Sequence, residues 1–165
     1  MPLTEFTFRT STAEDQQFLA QMLIEAAVAS GHVLTVDDLP ETPDSYRYVA
    51  EWGKPSDLGV IAHDEHGTPV GAAWARLFDH SNASPAFIDD RTPELTIATV
   101  AKQRGRGLGT ALLRQLQDTA RRSGITNLSL GVHRDNRPAQ QLYRNEGWTA
   151  HTIAGEYNIL VKQLN

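Results

Sequence analysis

The sequence predicts a mixed α/β sheet with helices on its faces, and three observations predict it. Strand-like runs take turns along the chain with stretches of helical apolar spacing. Two strand-like runs, residues 59–63 and 70–76, flank Asp64-Glu65-His66-Gly67, whose turn chemistry folds them into an antiparallel hairpin. Further on, a β-branched run over 95–100 enters a glycine-rich turn that opens a long helix.

The elements follow in order. Phe6 to Thr10 alternates and reads as a short strand. Ser11 or Thr12 offers a helix N-cap, with Glu14 and Asp15 favourable in the first turn. Phe18, Leu19, Met22, Leu23 and Ala26 continue at helical spacing, and Gly31 is the expected stop. Residues 32–45 read as an Asp- and Pro-rich loop, and 46–52 as a short second helix. The hairpin comes next, then a polar loop over 79–93 and the strand over 95–100. Gly107 or Gly109 opens the long helix, with an apolar stripe through Leu108, Ala111, Leu112, Gln115, Leu116 and Ala120; Ser123-Gly124 closes it. A strand over 128–132, a helix over 137–146 stopped by Gly147, and two final strands over 148–153 and 157–164 complete the chain.

Composition bounds the rest. The 165 residues, 40% hydrophobic, suit one domain spanning 1–165 with a real core. No apolar run approaches the ~20 residues of a membrane span, and the first ten residues lack a signal peptide's basic leader and apolar stretch. A cytoplasmic protein with no membrane partner is therefore expected. The chain contains no cysteine, which excludes disulfides, thiolate metal sites and a cysteine nucleophile. The six histidines are scattered without metal-ligand spacing, so no metal is expected. A net charge of −5 argues against nucleic acid as a partner. Against that acidic body, residues 101–124 carry six cationic side chains and one acid, which points to a local anionic ligand or to a solvated helix face.

The chemistry concentrates at the glycine turn, Lys102-Gln103-Arg104-Gly105-Arg106-Gly107-Leu108-Gly109-Thr110. Glycines let successive N–H groups face one concavity, and a helix N-terminus adds about half a positive charge, which together make a phosphate cradle. Neither a P-loop nor a dinucleotide fingerprint fits, because Thr110 stands where each needs a glycine.

Arg104-x-x-Gly107-x-Gly109 instead resembles the acyl-CoA pyrophosphate motif of the GCN5-related N-acetyltransferase (GNAT) family. Downstream, Asn136-x-x-Ala139-x-x-x-Tyr143-x-x-x-Gly147-Trp148 resembles the family's second motif, in the right order and about one strand away. The resemblance covers nearly the whole chain and implies a largely antiparallel twisted sheet of six to seven strands with about four helices. It implies an N-acetyltransferase that moves the acetyl group of acetyl-CoA to a primary amine, on a small molecule or peptide, by direct transfer in a ternary complex. The alternative is a non-catalytic acyl-CoA-binding domain of the same fold. It also allows a homodimer.

Carried over residue by residue, Ala98, Thr99 and Val100 would pair with the pantetheine arm, with Thr99 and Val100 both open as the main contact. The amides of Arg104, Gly105, Arg106, Gly107, Leu108 and Gly109, helped by Thr110, would hold the pyrophosphate. Lys102, Arg106 or Arg114 would meet the 3′-phosphate. Asn136 would touch the ligand or simply cap its helix. Tyr143 matches the family's general acid; a phenol of pKa ~10 and a thiol of ~8.5 are close enough for proton transfer. From the residues themselves, Glu94 is the first candidate for the general base, ahead of Asp89, Asp90, His80 and His133. The acidic loops carrying Asp37, Asp38, Glu41, Asp44, Asp79, Asp89 and Asp90 would favour a cationic amine if they flank the pocket. Tyr46, Tyr48 and Trp52 either line that pocket or fill the core.

Overall fold

The computed structural model describes residues 5–29 and 35–164. Its seven strands are β1 (Thr7–Thr10), β2 (Leu58–His63), β3 (Pro69–Arg76), β4 (Glu94–Thr99), β5 (Asn127–His133), β6 (Thr149–Ala154) and β7 (Tyr157–Gln163). They form one sheet in the order β1-β2-β3-β4-β5-β7-β6. Four α-helices accompany them: α1 (Gln16–Ala29), α2 (Pro43–Tyr46), α3 (Leu108–Arg122) and α4 (Arg137–Asn145). Every neighbouring pair is antiparallel except β4 and β5, which are parallel.

The period-two alternation of the strands sorts their side chains into two cores. On one face Val60, Ala62, Ala73, Ala75, Leu95, Leu128 and Leu130 pack with α3. On the other, Ile61, Ala72, Trp74 and Ala98 pack with Leu19, Met22 and Leu23 of α1. Close approach of α3 to β3 depends on Gly71, where a Cβ would stand 3.0 Å from Leu112 Cδ1 and 3.3 Å from the Ala98 carbonyl oxygen.

Thr12 is the N-cap of the opening helical turn, and Asp15 closes a capping box by accepting the Thr12 N–H at 2.7 Å. The expected stop of α1 at Gly31 lies outside the described residues. The helix expected over 46–52 sits earlier, at Pro43–Tyr46, because Pro43 brings a preset φ to its first turn. The stripe on α3 also differs: Leu113 and Gln117 face inward, while Ala111 is half-buried and Gln115 exposed. Gln117 tolerates burial because its Oε1 accepts the Trp148 indole N–H at 3.0 Å. Val100 lies just past the end of β4 and begins a 3₁₀ turn, Ala101–Gln103.

Candidate active site

The parallel junction between β4 and β5 is where the sheet opens. The two strands pair at one register position, Glu94 with Ser129, supported by the Ser129 N–H donating to the Pro93 carbonyl at 3.0 Å. Beyond it a cleft of about 780 Å³ is lined by Thr96 and Ile97 on one side and by Gly131, Val132 and His133 on the other. Tyr143 of α4 and Glu94 line the same cleft, as do Arg47, Tyr48 and Ser84 from the two connecting segments.

Which backbone groups face that gap follows from the ladder. The Val100 N–H donates to the Val70 carbonyl at 2.9 Å, and the Val100 carbonyl accepts from Gln103 at 3.0 Å. Both groups of Val100 are thereby used within the protein. In an antiparallel ladder, alternate residues turn their N–H and C=O to the same neighbour. Ala98, opposite Ala72, therefore faces β3 as Val100 does, and Ile97 and Thr99 face β5. Between Thr99 and Val100, only Thr99 turns its backbone toward the cleft side; Ile97, which the sequence reading passed over, does the same.

The turn after β4 ends in Gly107, in the left-handed region at φ 81°, which serves as N-cap of α3 without any side-chain cap. The Arg104 N–H donates to the Ala101 carbonyl at 3.2 Å, so that amide of the expected cradle is already bonded. From Gly105 to Thr110 the amides have no backbone acceptor among the described residues. These donors stand at the N-terminus of a 15-residue helix, an arrangement chemically suited to an anion. Nearby cations are partly committed: Arg104 pairs with Glu25 at 3.2 Å, Arg106 donates to Gln103 Oε1 at 3.2 Å, and Arg114 grips Glu146 at 2.7 and 3.0 Å. The turn does not itself line the cleft. The link is α4, where Leu142 lies 3.5 Å from the position of a Gly109 Cβ and Tyr143 enters the cleft.

Glu94 is 6% exposed, unusual for a carboxylate. Ser84 donates its hydroxyl to Glu94 Oε1, and the Tyr48 hydroxyl faces the same carboxylate. Burial pushes the Glu94 carboxyl above its ordinary pKa, against the opposing pull of those hydroxyls and the Arg47 charge. The Tyr48 phenol is driven well up, first by burial and then by the neighbouring Glu94 charge. Arg47 is the fourth member: its Nη atoms reach Asp44 at 2.7 Å and the Asn82 carbonyl at 3.0 Å, while its buried Nε has no partner. Ser84 and Arg47 carried no signal in the sequence, because no spacing relates two loop residues to a strand they meet only in the fold.

Tyr143 is 9% exposed and its ring packs against Trp148. Burial raises the pKa of its phenol well above the ordinary value, so the hydroxyl is protonated at neutral pH. Asn136 Oδ1 accepts the Ala139 N–H at 3.3 Å, an N-cap, and the residue also borders the cleft. His133 lines the cleft, and both its ring nitrogens are engaged within the protein: the Asp135 amide donates to Nδ1 at 3.2 Å, and Nε2 lies 3.2 Å from a Glu156 carboxylate oxygen.

Asp89, Asp90 and His80 are exposed and do not line the cleft. The Asp89 carboxylate accepts from Arg91 and Thr92 in its own turn, and His80 packs edge-on against Phe87. Of the acidic loop residues, only Asp44 borders the cleft; Asp37, Asp38, Glu41 and Asp79 do not. Tyr48 lines it, whereas Tyr46 and Trp52 pack in the core beside α1. Among the described residues, no group of three or more His, Asp or Glu is placed to hold a metal, and no helix is long and apolar enough to cross a membrane.

Seven strands with helices on both faces, split between β4 and β5 and followed by a glycine-capped helix, are the framework of an N-acetyltransferase fold. The family model described as "Acetyltransferase (GNAT) family" matches residues 19–148, and the chain belongs to that family. A mycothiol acetyltransferase from Beutenbergia cavernae is 27% identical over 158 residues; the match covers 93% of this chain and 47% of that protein. The chain thus spans about half the length of that relative. A GCN5-related N-acetyltransferase from Kribbella flavida superposes with a TM-score of 0.72 at 18% identity, covering 99% of this chain and 100% of the other. A phosphinothricin acetyltransferase from Sinorhizobium meliloti, solved in complex with AcCoA, superposes at 0.68 with 18% identity, covering 98% and 89%.

Proposed function

We propose that the chain is one domain, residues 1–165, which transfers the acetyl group of acetyl-CoA to a primary amine by direct attack in a ternary complex. The observation that carries this reading is the convergence of Glu94 and Tyr143 on one cleft, along the strand that leads to the free amides of the glycine turn. The amides of Gly105 to Thr110 hold the pyrophosphate, and the cleft-facing backbone of Ile97 and Thr99 pairs with the pantetheine arm. The acceptor enters from the side of Tyr48 and Ser84.

Glu94, directly or through one water, takes a proton from the ammonium form of the acceptor. The neutral amine then attacks the thioester carbon, and as the tetrahedral intermediate collapses the C–S bond breaks and Tyr143 gives its proton to the departing thiolate. The surplus proton on the new amide nitrogen passes to the Tyr143 phenolate, directly or through water, and Glu94 releases its own to solvent. Burial makes the Tyr143 phenol a weaker acid than in water. A thiolate released into the same apolar cleft is desolvated as well, and that raises its own proton affinity. With no cysteine in the chain, transfer does not pass through a cysteinyl acyl-enzyme. Positioning and charge stabilisation supply most of the acceleration.

Thiol release from acetyl-CoA, measured with a colorimetric thiol reagent against amines, amino acids, aminoglycosides, polyamines and N-terminal peptides, tests the proposal. The protein itself contributes no thiol background. Release stimulated by one acceptor class is the expected result. Acetyl-CoA binding with silence across the panel would favour an acyl-CoA-binding domain, and absence of binding would refute the cradle.

A further inference from the structure

The acceptor side of the cleft is presented by a segment whose last carbonyls are held by side chains from outside it. Helix α2 has four residues, turn hydrogen bonds carry its winding on to Ala50, whose N–H donates to the Tyr46 carbonyl at 2.8 Å, and the chain leaves through Glu51 in the left-handed region at φ 52°. The carbonyls at the end of such a helix lack intrahelical donors. Here four consecutive carbonyls receive side-chain donors from elsewhere. Arg76 Nη1 donates to Arg47 O at 2.9 Å and to Ala50 O at 2.5 Å. Trp74 Nε1 donates to Tyr48 O at 3.0 Å, and Gln16 Nε2 to Val49 O at 2.9 Å. Arg76 is itself fixed: its Nε and Nη2 grip Asp57 at 3.0 and 2.8 Å, both partners being almost wholly buried, and its guanidinium lies over the Trp52 ring. The second oxygen of Asp57 also holds the amides of Gly53 and Lys54.

None of the three donors lines the cleft, whereas Arg47 and Tyr48, whose carbonyls they hold, do. The geometry points to Arg76, Trp74 and Gln16 as positioning residues of the acceptor wall, a clamp on four main-chain carbonyls that fixes where Arg47 and Tyr48 stand relative to Glu94. The clamp acts through the backbone, so the wall's shape is set by β3 and α1 and its chemistry by the side chains of residues 47 and 48. This inference rests on the proposed acetyl transfer for the meaning of the wall, but its geometry is tested separately.

The test compares Gln16→Met and Arg76→Lys with the unmodified protein. The first removes the donor to Val49 at little change in volume. The second keeps a charge opposite Asp57, but one ammonium cannot span the carboxylate and two carbonyls. Hydrogen exchange followed by mass spectrometry should show the amides of residues 46–50 exchanging about tenfold faster in each variant, with α3 and β4 unchanged. For the amine turned over fastest in the acceptor panel, KM should rise about five- to tenfold, with kcat within about twofold and the KM for acetyl-CoA unchanged. Unchanged exchange over 46–50 overturns the clamp. So does faster exchange throughout the chain, or a fall in kcat at constant acceptor KM, since those are the marks of general destabilisation. Should Arg76→Lys fail to fold, Gln16→Met carries the test alone. If no amine is turned over by the unmodified protein, acetyl transfer fails on its own result and the exchange measurement still decides the clamp.

Discussion

Gly107→Ala separates the conformational role of the glycine turn from its space. Gly107 sits at φ 81°, and a Cβ there would meet no atom within 4 Å. The methyl group therefore clashes with nothing outside its own backbone, and the cost is that of an L-residue in the left-handed region, about 1–2 kcal/mol. For a chain of this length, that lowers Tm by about 2–8 °C. If the turn relaxes to avoid the strain, the amides of Leu108, Gly109 and Thr110 turn away from their common focus. Loss of one hydrogen bond to a charged group costs about 1.5–3 kcal/mol, which raises the Kd for acetyl-CoA about ten- to a hundredfold. Titration calorimetry with acetyl-CoA and a thermal melt read both quantities on one sample. Gly107→Asn, a residue that tolerates this conformation, should recover most of each. Wild-type affinity in Gly107→Ala, or equal loss in Gly107→Asn, would refute the reasoning.

Four further outcomes are expected. Tyr143→Phe should lower kcat about a hundredfold or more while leaving acetyl-CoA affinity nearly intact; an equal loss of binding sinks the acid assignment. Glu94→Gln should abolish most of the rate, and in the unmodified enzyme kcat/KM should rise with pH through a value above the ordinary glutamate pKa, because the base must be ionised. The same raised pKa means the folded protein binds a proton more tightly than the unfolded chain, so stability falls as pH rises from the unfolded to the folded pKa. Glu94→Gln should remove that slope, and melts of both proteins across the window would show whether it does. Leu112→Ala, at a fully buried position against β3, should cost about 2–5 kcal/mol in a urea titration, and a loss under about 1 kcal/mol would show that α3 repacks freely.

Much of the fold was legible because its signals are local. Alternation marked β1, the turn Asp64-Glu65-His66-Gly67 marked the β2–β3 hairpin, Thr12 and Asp15 signed the start of the first helical turn, and Ser123-Gly124 and Gly147 signed the ends of α3 and α4. Errors arose where distant contacts overrule local pattern. Gln117 faces the core because Trp148 supplies a partner 31 residues away, and no periodicity within α3 reveals it. The short helix was misplaced because residues 47–50 are shaped by donors from α1 and β3 rather than by their own sequence.

The sequence by itself determined the order of the elements, the glycine turn that opens α3, the family, and the two residues, Glu94 and Tyr143, that the cleft brings together. Those depend on residue types at short spacing, which the chain displays directly. Only the tertiary structure decided which backbone groups are free. It turned Thr99 and Ile97 toward the gap and Val100 away, bonded the Arg104 amide within the turn, and closed Ser84 and Tyr48 around Glu94. The physical reason is that a hydrogen bond is settled by where its partner lies in space, and partners tens of residues apart leave no mark on each other's neighbours in the chain.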